Sequence, residues 1–336
     1  MRRLILAFGL LLVVAPVAGA ACVGRDLIAE LPPAEQDALR AAVDAVPHSR
    51  GLFWQAEKDD ARIVLIGTYH FGDTRHDSAI ERFSPVITEA DALLVEAGPD
   101  EETKLTQALQ RDPSLMSDTD GSTLPERLEP EEWERLAGAL EARNIPAVVG
   151  SRLRPWYVAT VLGLSPCMLN DLAEQGDNPG LDHRLIAVAE ESGTPVRALE
   201  PWDTLFSVFK SMSPEEELDM IRAALPQAER ADDFAVTMLN AYFDEDVWAL
   251  WEFGRMDALT HSGLSSEAVE QQVGLMQREL MNKRNRAWIA RLEDAATQAA
   301  AGGKPVVAAF GALHLPGEGG VLSLLERDGW SVTRIE

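Results

Sequence analysis

Short aliphatic runs that each end at an abrupt turn recur along this chain. They comprise residues 62–66, 92–95, 147–149, 196–199, 306–310 and 331–335. Continuous apolar runs of this length are typical of strands buried on both faces of a sheet. Amphipathic stretches with apolar residues three and four positions apart separate them, at residues 78–90, 130–143, 183–192 and 284–300. This alternation predicts an α/β fold with a central, largely parallel or mixed sheet and flanking helices.

Residues 205–281 follow a different pattern, which is helical almost throughout and rich in acidic residues. We interpret this stretch as a helical insertion packed over the sheet. Its aromatic residues are expected in the core, because large rings dominate core burial; they are Phe234, Tyr242, Trp248 and Trp251. Residues 164–180, which contain two prolines and two glycines, are expected to form a surface loop or lid.

The N-terminus has the order of a secretory signal. Arg2 and Arg3 precede an apolar stretch at residues 4–17, and the small residues 18–20 follow as a cleavage pattern. The stretch is short for a membrane span, which needs about 20 residues, and no later segment is long and apolar enough to span. We therefore expect residues 1–20 to be a signal peptide and residues 21–336 to form one exported domain, periplasmic or secreted.

The formal net charge of −25 repels nucleic acid and anionic lipid, so neither is an expected partner. The chain has two cysteines, Cys22 and Cys167. In an oxidising compartment they invite a disulfide, and two unpaired small residues are the alternative. Cys22 also follows the signal closely enough for a lipid anchor to be considered, although Gly19 stands three positions before it where a lipoprotein signal has leucine.

Two similar segments lie at opposite ends of the predicted mature chain. Residues 62–70 and 305–314 each consist of a strand pattern followed by Gly-x-x-His, ending at His70 and His314. This layout indicates two related halves that bring both histidines to one edge of a sheet. Gly67 and Gly311 are expected to let the backbone turn sharply and to leave room for a ligand.

Acidic residues follow two other predicted strands. Glu96 ends one apolar run and Glu200 follows another, and ligands of open α/β sheets bind outside the carboxyl ends of the strands. Two imidazoles with one or two carboxylates would hold a divalent metal ion. A coordination position left to water would then generate a nucleophile near neutral pH. Asp73, three residues after His70, could orient that imidazole.

A set of motifs in this order resembles the TraB/GumN family, whose animal relatives are the Tiki metalloproteases. The motifs are Gly67-Thr-Tyr-His70, Val95-Glu96-Ala-Gly-Pro99, Gly180-Leu-Asp182-His183, Leu199-Glu200, Arg284-Asn285-Arg286 and Gly311-Ala-Leu-His314-Leu-Pro-Gly317. The resemblance extends over residues 52–336. It implies one α/β domain with an internal duplication, related in fold to erythromycin esterases and to the ChaN iron/haem-binding proteins.

The resemblance also implies a metal-dependent active site centred on His70, Glu96 and His314. Arg286 and Asn285 match a polar pair that could hold substrate or a developing negative charge. Glu200 and Asp182 match less firmly defined positions, with Glu96 or Glu200 as the general base.

The expected function is therefore hydrolysis of an amide bond in a peptide or protein, with manganese, cobalt, zinc or iron as the metal. Two alternatives stay open on the residues alone. One is a metal-independent, ester-type hydrolase in which the histidines act as acid and base. The other is a non-catalytic protein that binds iron or haem through the same histidines.

Overall fold

The computed structural model describes residues 22–118, 121–173, 179–210 and 212–336. The predicted signal peptide, residues 1–20, lies outside the described residues. Within the described ranges, no helix combines the length and the apolar character that a membrane crossing requires.

Six strands form one mixed sheet in the spatial order β4-β3-β5-β2-β1-β6. In chain order they are β1 Phe53–Lys58, β2 Ala61–Thr68, β3 Leu93–Val95, β4 Val196–Ala198, β5 Val306–Gly311 and β6 Ser331–Arg334. Strands β4, β3, β5 and β2 are parallel to one another, whereas β1 is antiparallel to both β2 and β6. The predicted α/β class with a largely parallel, mixed sheet is confirmed.

The helices that the structure describes are α1 Pro33–Asp44, α2 Asp77–Glu89, α3 Pro99–Arg111, α4 Leu124–Arg127, α5 Pro130–Glu141, α6 Ala147–Gly150, α7 Pro155–Leu162, α8 Pro166–Ala173, α9 Leu181–Ser192, α10 Thr204–Lys210, α11 Pro214–Ala228, α12 Ala231–Phe243, α13 Val247–His261, α14 Ser266–Met276, α15 Lys283–Ala300 and α16 Val321–Arg327. A π-helical turn, Gln277–Asn282, leads into α15, and short 3₁₀ turns occupy Thr74–His76, Pro113–Leu115 and Ala312–His314.

Helices cover both faces of the sheet. On one face, α15 and α16 contribute buried residues such as Trp288, Leu292 and Leu325 to a core shared with β2 and β5. On the other face, α2 and α9 contribute buried residues such as Phe83 and Leu185 to a second core. The sheet is therefore the middle of three layers, which explains why its central strands read as continuous apolar runs.

One predicted strand is a helix, and one observed strand was not predicted, each for a physical reason. Residues 147–149 form helix α6, not a strand, and Val148 and Val149 are 77% and 52% exposed. β1 was not predicted, because its burial alternates residue by residue and it has no continuous apolar run.

The helical pattern at residues 205–281 corresponds to α10–α14 and the π-helical turn. Trp248 and Tyr242 are buried, and Phe234 and Trp251 are half-buried against the cluster that joins α13 to α1. The expectation that residues 164–180 form a loop is wrong over residues 166–173, which form α8; residues 174–178 lie outside the described residues.

Cys22 and Cys167 form a disulfide with their Cα atoms 5.6 Å apart. The bond ties the beginning of the described chain to α8, across 145 residues. Of the two alternatives for these cysteines, the paired one is therefore found.

Candidate active site

Four of the predicted site residues follow the carboxyl ends of four adjacent parallel strands. His70 follows β2, Glu96 follows β3, Glu200 follows β4 and His314 follows β5. β2 and β5 pair directly, with Thr68 opposite Gly311, so the two Gly-x-x-His segments leave the sheet side by side. The structure thus brings together residues that lie far apart in the sequence, at the edge where open α/β sheets bind ligands.

Gly311 lies at the centre of this group. Its backbone N–H donates to Glu96 Oε1 at 2.7 Å. A Cβ atom at this position would lie 3.2 Å from Glu96 Oε1 and 3.7 Å from His70 Nε2. Neither Gly311 nor Gly67 has a positive φ, so the predicted sharp turns are not the reason for glycine here. Close approach is the reason, since a Cβ on Gly67 would lie 2.8 Å from the side chain of Leu315.

His70 is held by Asp182, the residue at the start of α9. Its Nδ1 lies 3.1 Å from Asp182 Oδ2, and its Nε2 is directed toward Gly311. The surrounding protein disfavours a charged ring, but the hydrogen bond and charge of Asp182, aided by Glu96, raise the pKa of His70 to about 9. The side chain is 58% exposed, so it remains accessible from the open side of the site.

Contrary to the prediction, Asp73 does not contact His70. Its carboxylate instead accepts from the backbone and side chain of Arg75, at 2.8 and 2.9 Å, and begins the 3₁₀ turn that follows. The carboxylate that orients His70 is therefore Asp182, which the sequence places 112 residues away.

His314 is buried, and its orientation is fixed by Asn285. The amide nitrogen of Asn285 donates to the Gly319 carbonyl at 2.8 Å, so its oxygen faces His314 Nδ1 at 2.5 Å. Nδ1 must therefore carry the proton, and Nε2 presents a lone pair. Burial lowers the pKa of His314 to about 4, because the attraction of Glu96 does not compensate, so the ring is neutral at pH 7.

Arg284 is a member of this cluster that the sequence interpretation missed. Its Nη2 donates to Glu96 Oε2 at 2.5 Å and to Glu200 Oε1 at 2.7 Å, and its Nη1 lies 3.2 Å from His314 Nε2. Burial opposes ionisation of Glu96. At the acid pH where this carboxyl titrates, however, His314 is protonated, and its positive charge together with those of Arg284 and His70 lowers the pKa of Glu96 to about 2. The carboxylate is thus held ionised inside the protein.

Arg286, which was expected in the site, points away from it. Its side chain is exposed on the opposite face of α15. Arg284 lies four residues before the buried Trp288 and so shares the face of α15 that packs on the sheet. That spacing was the available signal, since it selects Arg284 from the Arg-Asn-Arg motif.

Glu200 and Asn285 support the site without lining its cavity. Glu200 accepts from Arg284 and from the indole N–H of Trp288, the latter at 3.1 Å. The cavity itself has a volume of about 370 Å³, and His70, Glu96, Arg284 and His314 line one end of it. Glu200 and Asn285 therefore act through Arg284 and His314, whereas these four side chains can touch a bound molecule.

The spacing of acidic groups, histidines and cysteines bears on metal binding. In the parts of the chain that the structure describes, no three of these side chains lie close enough together to hold a metal ion. Arg284 donates a hydrogen bond to Glu96 Oε2 and approaches His314 Nε2. These are two of the atoms that were expected to bind the metal ion. As it stands, the site offers a guanidinium, an imidazolium, a neutral imidazole and a carboxylate around one small space.

A model of the TraB/PrgY/gumN family matches residues 52–334. No curated protein and no solved structure matches the chain.

Proposed function

Because the chain belongs to the TraB/PrgY/gumN family, we propose that the cavity beyond β2, β3 and β5 is the active site of a hydrolase that cleaves amide bonds in a peptide or protein. The observation that carries this proposal is the convergence of His70, Glu96 and His314 around Gly311. A structural role alone gives no reason to gather two imidazoles and an ionised carboxylate at one end of a cavity.

We further propose that a divalent metal ion, manganese, cobalt, zinc or iron, is held by His70, Glu96 and His314. The donor types fit such an ion. The outer ring nitrogens of the two histidines are held by Asp182 and Asn285, as is usual for histidines that bind metals. Arg284 supplies positive charge to the same donors, so it must withdraw from them when the ion binds. The ion would supply Lewis-acid polarisation of the scissile carbonyl and a lowered pKa for water.

The residues of the chain would divide the remaining work. Glu96 accepts a proton from the attacking water, whose oxygen forms a bond to the carbonyl carbon. Arg284, which lines the cavity, donates to the oxygen on which negative charge develops, the role expected of Arg286 from the sequence. The carbon–nitrogen bond then breaks, and the proton taken by Glu96 passes to the departing amine. Glu200, which also accepts from Arg284, would retain this side chain beside the cavity after it withdraws from Glu96 and His314.

We also propose that the protein acts in the periplasm or outside the cell. The disulfide between Cys22 and Cys167 supports this, because such bonds persist in oxidising compartments. It argues against a lipid anchor at Cys22, since a sulfur in a disulfide cannot also carry a thioether-linked lipid.

The proposed chemistry is tested by metal content and peptide hydrolysis, measured together on the mature chain. Mass spectrometry of the gently purified protein should find about one divalent ion per chain, lost in both His70→Ala and His314→Ala. Hydrolysis of a peptide library should stop in a chelator and resume when manganese, cobalt or zinc is added back. An absence of hydrolysis with every metal would overturn the proposal.

A second candidate is favoured by the position of Arg284. Its contacts with Glu96 and His314 leave a site that could hydrolyse esters without a metal, with His70 as the acid and base. Activity that is unaffected by chelators and lost in His70→Ala would support this candidate over the metal-dependent one.

A further inference from the structure

The cavity beside the catalytic groups is divided sharply by chemistry. Charged and imidazole groups line one end, and Thr68, Tyr69 and Tyr242 add hydroxyl-bearing side chains. Most of the remaining wall is apolar, formed by Leu205, Met238, Val247, Leu250, Met281 and Leu313 among others. We infer that this apolar part is a subsite for a large apolar side chain of the substrate, adjacent to the bond that is cleaved. This inference rests on the proposed function.

The wall argues for an apolar occupant through what it lacks. Of the residues that line the cavity, those that carry charge lie at the end formed by β2, β3, β5 and α15. A charged side chain in the distal part would lose its hydration without gaining a partner, which is costly. An apolar side chain has no strong hydration to lose, and the burial of its surface is favourable.

The position of the subsite argues for a side chain near the scissile bond. His70, Glu96, Arg284 and His314 line the same cavity as the apolar wall, so one molecule can touch both. The volume of about 370 Å³ is at the lower end of the range for ligand pockets. It therefore suits a single large side chain with part of its peptide backbone.

Leu250 and Leu313 lie between the subsite and a second cavity. Both line this cavity and also a second cavity of about 360 Å³, formed mainly by α11, α13 and α14. Leu250 is half-buried on α13, within the range Val247–His261. Shortening its side chain should open the subsite toward the second cavity, and enlarging it should make the subsite shallower.

The test measures kcat/KM for blocked peptides that differ at one residue on either side of the scissile bond, with manganese present. Leucine or phenylalanine should be preferred to aspartate or lysine by about 100-fold at one of these positions. Leu250→Ala should shift the preference by about tenfold toward tryptophan and phenylalanine, and Leu250→Phe should shift it toward alanine and valine. Val148→Ala is the control, since Val148 is 77% exposed and lines neither cavity.

Calorimetric binding of the same peptides separates this inference from the proposed function. Selective binding of the apolar peptides that responds to the Leu250 variants, without cleavage, supports the subsite and overturns the hydrolase. Cleavage with no apolar preference, or with a preference that neither Leu250 variant shifts, overturns the subsite and leaves the hydrolase in place. If the peptides are neither bound nor cleaved, both the subsite and the hydrolase are overturned.

Discussion

His70 and Asp182 are joined by a hydrogen bond of 3.1 Å between Nδ1 and Oδ2, although 112 residues separate them in the chain. The N-terminus of α9 makes this contact possible, because Leu181 N–H donates to the Tyr69 carbonyl at 3.0 Å. The carboxylate thus fixes the ring from behind and directs Nε2 toward the cavity. Its charge also keeps the ring protonated in the absence of another cation.

Asp182→Asn is expected to lower hydrolytic activity about 10- to 100-fold, because the partner that orients the imidazole loses its charge. It should also lower the pKa of His70 from about 9 toward the ordinary value, which NMR titration of the ring would follow. Asp73→Asn is the matched control, since Asp73 pairs with Arg75 and not with His70. Equal loss of activity in the two variants would contradict the assignment of Asp182.

Arg284→Gln should destabilise the protein strongly. Arg284, Glu96 and Glu200 have side chains only 10%, 19% and 11% exposed, so the substitution leaves two carboxylates close together and without their cation. Breaking a buried ion pair in this way costs about 3–5 kcal/mol in the free energy of unfolding. Urea denaturation measures it, with Arg286→Gln expected to stay within about 0.5 kcal/mol of the wild type. A loss of unfolding free energy that is larger in Arg286→Gln than in Arg284→Gln would contradict the assignment of the buried ion pairs to Arg284.

Gly180→Ala is expected to displace His70. A Cβ on Gly180 would lie 2.3 Å from the backbone carbonyl carbon of His70, a distance that requires one of the two segments to move. We expect a loss of about 1–3 kcal/mol in the free energy of unfolding, together with reduced activity. Gly138→Ala serves as the comparison because no atom lies within 4 Å of its Cβ position inside α5, so it should stabilise by about 0.5–1 kcal/mol. Full activity in Gly180→Ala would mean that the close contact does not position His70.

The buried strands were the part of the fold most accessible from the sequence. β2, β3 and β5 are covered on both faces, so their continuous aliphatic runs and the residues that follow them could be identified. Parallel strands end at one edge, and this alone predicts that His70, Glu96 and His314 lie near each other. The catalytic and metal-binding roles of these residues stay predictions.

The supporting residues were harder to predict because they depend on long-range packing. Asp182 replaces Asp73 beside His70 through the docking of α9, which no local pattern reveals. Arg284 replaces Arg286 because of the face that α15 turns toward the sheet, and the stripe containing Trp288 could have indicated this. The helix at residues 147–150 shows the opposite problem, since valines that are exposed were taken for a buried strand.

His76 is only 1% exposed and packs among the rings of Tyr69, Tyr242 and Phe243. Its Nε2 lies 3.1 Å from the Phe71 carbonyl, which accepts the ring N–H. Burial lowers the pKa of His76 below its usual value, and the hydrogen bond to Phe71 opposes this shift only partly. The folded protein therefore holds this ring neutral.

This burial should make the protein less stable in mild acid. As the pH falls through about 6.5, His76 in the unfolded chain takes up a proton that the folded protein takes up only at lower pH. The unfolded state then binds more protons, so the contribution of His76 to the free energy of unfolding is complete above about pH 6.5 and declines below it. His70 and His183, whose pKa values are raised to about 9, act in the opposite direction, with stabilisation that is lost as the pH rises through about 9.

The difference between the wild type and His76→Gln isolates the His76 contribution, because the variant keeps an N–H donor for Phe71 but does not titrate. Urea unfolding at about pH 5 and about pH 8 should show His76→Gln gaining on the wild type at the lower pH. A difference that is the same at both values would contradict a neutral, buried His76.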